Sequence, residues 1–214
     1  MKYWMVLLGA SLTAATASAP LAAMQDVAWP SGFAATAAAG DGWKPYRAEG
    51  NGFALRLSLP PQWVEQTNRP EGMMFSAQDP GARLILQIRQ LEPVNFNVQE
   101  PLPNATIQEM RKTVASDMAE RGYELSDSGQ VLSAKRVWLW NEARMTDLGA
   151  FGALGPIGGG QTWIFSATPH SQRLEVNYFV LHARDDSAAQ IEGRVREAGA
   201  IFKAILERLT VDPR

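Results

Sequence analysis

The chain has 214 residues, of which 20 are basic and 22 acidic, so its formal net charge is -2 and its pI is about 5.8. This balance lacks the basic excess of nucleic-acid-binding domains, and we predict no nucleic-acid partner. The absence of cysteine excludes disulfides, thiolate metal sites, a cysteine nucleophile and a lipidated N-terminal cysteine. The length suits one domain, and 46% hydrophobic residues can fill a substantial core.

Residues 1–23, MKYWMVLLGASLTAATASAPLAA, have the pattern of a secretory signal peptide. One basic residue, Lys2, precedes a short apolar run from Tyr3 to Leu12, and small residues follow. The run is shorter than the roughly 20 residues of a membrane-spanning helix, and an uncleaved anchor is the alternative. We predict a mature chain that starts between Ser18 and Met24 and is soluble in the periplasm or secreted.

Residues 24–50 are rich in Ala, Gly and Pro and show no sustained hydrophobic period. This composition predicts a linker or a loose lead-in to the folded domain. Trp29, Phe33 and Trp43 lie within it, and we interpret them as a cover for the edge of the domain, with partner docking as the alternative. The folded domain is predicted over residues 51–212.

The folded domain opens with GFALRLSLPPQW, residues 52–63. Apolar and polar residues alternate up to Leu59, which predicts a strand with one buried face. The two prolines that follow cannot donate hydrogen bonds to a neighbouring strand, so the strand ends there. Two more strands are predicted over Gly72–Gln78 and Ala82–Leu91, joined by a turn at Asp79–Gly81.

A helix is predicted next, from a capping box at Thr106–Glu109 to Gly122. One apolar stripe supports it, formed by Ile107, Met110, Val114 and Met118.

Three segments then read as strands. Gly129–Met145 predicts one long strand or two short ones, and Gln161–Thr168 and Arg173–Ala183 predict two more. A second capping box at Ser187–Gln190 begins the terminal helix, whose apolar residues recur at spacings of three and four up to Leu209. The stripe lasts under three heptads, which favours a helix packed on its own sheet over a coiled-coil seam.

This order of strands, helix, strands and helix predicts an α+β fold, with helices packed on an antiparallel sheet. The opening pattern GF-x-L-x-x-x-x-P-P-x-W resembles the PsbP-like family of extrinsic photosystem II proteins and DcrB-type bacterial envelope proteins. The residues in matching places are Gly52, Phe53, Leu55, Pro60, Pro61, Trp63, Gly81 and Ala82. The resemblance implies a PsbP-like α/β/α sandwich and a role in binding or in supporting larger complexes, without catalysis.

Few residues suggest chemistry. The two histidines, His170 and His182, could meet Glu175, but no closely spaced ligand pair exists and a metal site needs three or four ligands. No nucleophile motif occurs. Asp185 and Asp186 are explained by the helix N-terminus that follows them. We predict no catalytic residue, no metal and no cofactor.

The glycine-rich stretch GAFGALGPIGGG, residues 149–160, matches neither a phosphate-binding loop nor a dinucleotide fingerprint. Phe151, Leu154 and Ile157 recur at every third residue, with no charge between Asp147 and Arg173. Three large apolar side chains are costly to leave in water. The stretch therefore either covers its own core as a lid or contacts a partner or membrane surface.

Trp138 and Trp140 would share one face of a strand, which predicts either a recognition surface or the layer beneath a helix. With Phe151, Leu154 and Ile157 they form the predicted partner-binding set.

The function predicted from these features is a non-catalytic periplasmic protein that binds an envelope partner as an accessory or assembly factor. The alternative is a small-molecule or lipid carrier in which residues 149–160 cover a pocket lined by Trp138, Trp140 and Trp163. A hydrolase is a distant third interpretation.

Overall fold

The structure is a computed structural model. It describes residues 42–50, 52–69, 71–91, 101–120, 122–133, 136–145, 161–169, 174–183 and 185–213. The predicted signal peptide, the lead-in up to residue 41 and the glycine-rich stretch lie outside the described residues, as does His170.

The described residues form ten strands and two helices. In chain order they are β1 (Lys44–Glu49), β2 (Phe53–Leu59), β3 (Val64–Glu65), β4 (Met73–Asp79), β5 (Leu84–Gln90), α1 (Asn104–Ala119), β6 (Tyr123–Ser133), β7 (Arg136–Met145), β8 (Gln161–Pro169), β9 (Leu174–Leu181), α2 (Ala188–Arg208) and β10 (Thr210–Pro213).

The strands form two sheets. The large sheet has the order β3-β4-β5-β9-β8-β7-β6, and the small sheet has the order β1-β2-β10. All strand pairs between described residues are antiparallel. The predicted α+β class is confirmed, whereas membership of the PsbP-like family stays a prediction.

Two neighbouring residues of β8 show that helices cover both faces of the large sheet. The Phe165 ring packs edge-on against Phe202 of α2, with 4.6 Å between the ring centroids. Ile164 points to the opposite face and belongs to a separate apolar cluster with Met118 of α1. Because α2 also contacts β2, the main core lies between the large sheet, α2 and the small sheet.

The proline corner after β2 brings Trp63 into this core. The Trp63 backbone N–H donates to the Pro60 carbonyl at 3.1 Å, which turns the chain sharply at the end of the strand. The buried Trp63 ring then stacks on Tyr178 of β9, with 5.8 Å between the centroids. The two prolines thus end β2 and also position an aromatic side chain of the core.

The folded unit begins earlier than predicted. Lys44–Glu49, assigned from the sequence to a loose lead-in, is β1 and pairs along its whole length with β2. The segment KPYRAE has weak strand character by itself, because strand formation depends on cross-strand contacts that the local sequence does not reveal. β10 likewise adds a strand beyond the terminal helix.

The two predicted capping boxes have different outcomes. Ser187 and Gln190 form the predicted box at the start of α2. The box at Thr106–Glu109 is wrong, because α1 starts at Asn104 with no side-chain cap. Its entry is held by tertiary bonds instead, since the Gln130 side-chain amide exchanges two hydrogen bonds with the Leu102 backbone, at 2.8 and 2.7 Å.

Neither helix in the described part of the chain is long and apolar enough to span a bilayer.

Candidate functional site

The two tryptophans assigned to a partner surface lie in the core. Trp138 and Trp140 are buried, and the Trp140 ring stacks on Phe165 with 6.0 Å between the centroids. Phe165 in turn contacts Phe202 of α2. Both indoles therefore belong to the layer beneath a helix, one of the two interpretations that the sequence offered, and we no longer assign them to a partner surface.

Trp163, the third ring of the predicted carrier pocket, is also packed. Its Nε1–H donates to Glu142 Oε1 at 2.7 Å, and its ring stacks on Phe165 and meets Tyr178 edge-on. Trp140 and Trp163 stack on Phe165 beneath α2, and Trp138 is fully buried in the same core cluster. The carrier alternative therefore has no support from these three residues.

Phe151, Leu154 and Ile157 lie outside the described residues, between the end of β7 and the start of β8. Their assignment to partner binding stays a prediction.

Asp186 has a larger role than neutralising a helix N-terminus. Arg194 donates to its Oδ2 at 2.8 Å, the Ala183 N–H donates to the same oxygen at 2.6 Å, and Arg83 approaches it at 3.4 Å. The hydrogen bond from Arg194 is the main cause that lowers the pKa of Asp186 to about 2, despite the opposing effect of its burial. Arg194 also donates to the Leu181 carbonyl, so this cluster fastens α2 to β9 and is structural.

Within the described ranges, no group of three or more histidine and carboxylate side chains is arranged to hold a metal ion.

The small sheet offers a different candidate, an open groove of about 350 Å³ that we call the arginine groove. Its lining residues are Pro45, Tyr46, Arg47, Arg56, Leu57, Ser58 and Arg208.

The register of β1 and β2 sets the arrangement of the groove. Arg47 lies directly opposite Arg56, and Pro45 lies directly opposite Ser58. Facing residues of an antiparallel pair share a face, and side chains alternate along each strand. These four side chains therefore share the outer face of the small sheet, whereas Leu57 points inward and is buried in the core. Arg47 and Arg56 thus lie next to a small uncharged surface formed by Pro45 and Ser58.

The two facing arginines each have a carboxylate partner. Arg47 Nε lies 2.8 Å from Glu49 Oε1, and Arg56 Nε lies 2.6 Å from Asp212 Oδ2. These contacts offset the repulsion expected between like charges on facing strand positions. The arginine side chains remain 56% and 63% exposed, and such exposed ion pairs contribute little. Both contacts use Nε and leave the other guanidinium donors for a ligand.

Arg208 supplies the third guanidinium from the end of α2. Its Cζ lies 4.8 Å from the centroid of the Trp43 ring, a cation–π contact that orients the exposed side chain. Among the described residues no carboxylate lies within 4.0 Å of Arg208. No ion pair with a described residue therefore neutralises its charge, and the guanidinium is placed to meet an anion.

The lining residues suit the binding of an anion. Guanidinium groups present planar forks of donors that match carboxylates and phosphates. Tyr46 faces inward like its partner Leu57, and its hydroxyl donates to the Trp63 carbonyl. Among the described lining residues, Ser58 brings the hydroxyl on the outer face, and no histidine or carboxylate stands beside it in the lining. What the groove can do chemically is hold an anionic group.

Sequence reasoning missed this site because residues 24–50 were assigned to a lead-in. The signal that could have revealed it is the run WKPYR, Trp43–Arg47, where aromatic and basic residues are interleaved.

No family model matches the chain, and no curated protein matches it.

Proposed function

We propose that this protein is a non-catalytic, periplasmic binding factor that captures an acidic segment of an envelope partner in the arginine groove. The observation that carries the proposal is the presence of three guanidinium groups, from Arg47, Arg56 and Arg208, around one recess. The signal-like N-terminus supports the compartment. The resemblance to the PsbP-like family supports a binding role.

A protein segment fits the groove better than a small molecule does. Small-molecule sites are usually concave, largely apolar and nearly enclosed. The arginine groove is an open recess on a sheet surface, and its charges come from β1, β2 and the end of α2. An extended acidic segment can address all three charges at once.

The expected affinity is modest and depends on salt. The partner's carboxylates would replace Glu49 and Asp212 at guanidinium groups that are already exposed, so the net gain at Arg47 and Arg56 is small. Among the described residues Arg208 has no such competitor, and it rests on an aromatic ring. We therefore expect Arg208 to contribute most, and we expect binding to weaken as ionic strength rises.

Site-directed crosslinking in intact cells tests the proposal, because the chain has no cysteine of its own. Ser58→Cys places a single thiol in the groove, and Ser116→Cys places one on the exposed surface of α1 as a control. We expect a thiol-to-amine crosslinker to join Ser58→Cys, but not Ser116→Cys, to one protein beside an acidic segment. Identical products from both positions, or none from Ser58→Cys, would contradict the proposal.

A further inference from the structure

β6 is a long edge strand of the large sheet. It is last in the strand order, and its pairing partner among the described strands is β7. Within the described ranges, no backbone hydrogen bond joins Glu124–Ser133 to any segment other than β7. The opposite edge strand, β3, has only two residues. An unpaired edge is a template for another strand, and proteins blunt it with short strands, bulges, charges or prolines.

The first half of β6 is blunted in this way. A register shift between Leu125 and Asp127 marks a bulge, which bends the strand away from regular pairing. Glu124 and Asp127 add charge, and Asp127 lies 3.6 Å from Arg111 of α1. A second strand would have to bury these charges to pair here.

The second half, Ser128–Ser133, has none of these devices. Its sequence SGQVLS has no charge and no proline, and its register with β7 is regular. Leu132 is 57% exposed, and only Val64 of β3 is a comparably exposed large apolar side chain in the described part of the chain. Regular geometry and an exposed leucine make this half competent to pair.

The start of α1, which carries two apolar residues, lies near this half of the edge. The Gln130 side chain binds Leu102 at the entry to α1, so the first turns of the helix start next to Ser128–Ser133. Ile107 and Met110 in these turns are half-buried and belong to neither apolar cluster of the described residues.

We propose that Ser128–Ser133 pairs antiparallel with the same segment of a second copy of this chain, about a two-fold axis. An isologous interface needs a surface that is complementary to itself. When the two-fold axis passes through a residue, the residues of the two copies that face each other point to the same face of the joined sheet. With the axis at Val131, Leu132 faces Gln130 of the second copy, and no charged side chain meets another within the segment.

Symmetric pairing of β6 with β6 of a second copy is also favoured over head-to-tail pairing of β6 with β3. Head-to-tail pairing of β6 with β3 could engage only Val64 and Glu65 and would form open chains of molecules. The symmetric arrangement instead closes at a dimer. With the axis at Val131, the five residues Gly129–Ser133 of each copy face one another and span about 17 Å. The interface is therefore small, and the dimer should dissociate on dilution. The arginine groove lies on the small sheet and takes no part in this contact.

Light scattering coupled to gel filtration, repeated over a concentration series, tests the proposal on the purified protein. We expect wild type to move from monomer to dimer as concentration rises, and Leu132→Lys to raise the dimer dissociation constant at least tenfold. Val64→Lys is the matched control, because Val64 is 55% exposed on the other edge strand. It should dimerise like wild type.

Amide hydrogen exchange on the wild-type protein gives a second test, which does not depend on whether a variant folds. The amides of Ser128–Ser133 should become better protected as the wild-type concentration rises, and those of Glu124–Asp127 should not. A wild type that is monomeric at all concentrations, a dimer unaffected by Leu132→Lys, equal effects of the two lysine variants, or oligomers that grow beyond two copies would each overturn the proposal. Protection that appears only with an added peptide would assign the edge to a different partner and overturn it as well.

Discussion

The indole of Trp140 lies across Gly129 on the neighbouring strand. A Cβ atom added to Gly129 would come within 2.9 Å of Trp140 Cζ2, closer than a real Cβ contact allows. The two residues face each other in the β6–β7 register. The absence of a side chain at Gly129 is therefore what lets a large ring of the main core lie flat against the edge strand.

Gly129→Ala should destabilise the protein by about 1–3 kcal/mol, the usual cost of overfilling a packed site. Gly193→Ala is the matched control, because Gly193 lies inside α2 and a Cβ there meets nothing within 4 Å. That change should stabilise by about 0.4–1 kcal/mol. Denaturant titrations measure both values, and effects of the same sign would contradict the packing described for Trp140.

Phe202 should be a principal determinant of stability. Its ring is buried between Phe165 and Tyr178, at centroid distances of 4.6 and 4.7 Å. Phe202→Ala should cost about 3–5 kcal/mol, as deletion of a core aromatic ring usually does. Leu132→Ala, an apolar truncation at an exposed position, should change the unfolding free energy of the monomer by less than about 0.5 kcal/mol. A loss below about 1 kcal/mol for Phe202→Ala would show that the helix does not depend on this contact.

Asp186 should make the free energy of unfolding depend on pH under acidic conditions. Its pKa is lowered from 3.8 to about 2 in the folded protein, so its contribution is complete above about pH 4 and is lost as the pH falls towards 2. Asp186→Asn should cost about 1–3 kcal/mol at neutral pH, because Arg194 then lacks its charged acceptor.

The variant's unfolding free energy should also fall less steeply than that of wild type between pH 4 and pH 2. Asp185→Asn removes an exposed carboxylate one residue away and serves as the control. Parallel pH profiles for wild type and Asp186→Asn would refute the role assigned to Asp186.

Phe151, Leu154 and Ile157 retain their predicted part in partner capture. Replacing all three by serine should leave the melting temperature nearly unchanged and abolish the crosslink formed from Ser58→Cys. Burial of such side chains against a partner contributes roughly 1.5–3 kcal/mol each before the entropic cost of binding. A melting temperature several degrees lower, with the crosslink retained, would show that the stretch covers its own core.

The sequence was most informative where local chemistry decides structure. Ser187 and Gln190 satisfy each other at the start of α2, so the capping pattern alone located the helix. The start of α1 was misplaced because its anchor, Gln130, lies 28 residues away from Leu102. Alternation placed Trp138 and Trp140 on one face but could not show that α2 covers that face.

The arginine groove could not be predicted for the same reason. Arg47 faces Arg56 only because β1 pairs with β2, and the weak local pattern of β1 had been taken as a lead-in. Arg208 joins them from the end of α2, far along the chain. A site assembled by strand pairing and by a distant helix end becomes visible only once the fold is known.

The most direct test of the central claim is a calorimetric titration of the purified protein with a glutamate-rich peptide and with its glutamine counterpart. We predict that only the acidic peptide binds, that raising the salt weakens binding, and that Arg208→Gln weakens it about two- to fivefold. Arg196→Gln, an exposed arginine about 18 Å back along α2, should bind like wild type. Equal binding of both peptides, or equal losses in the two variants, would contradict the assignment of the arginine groove as the binding site.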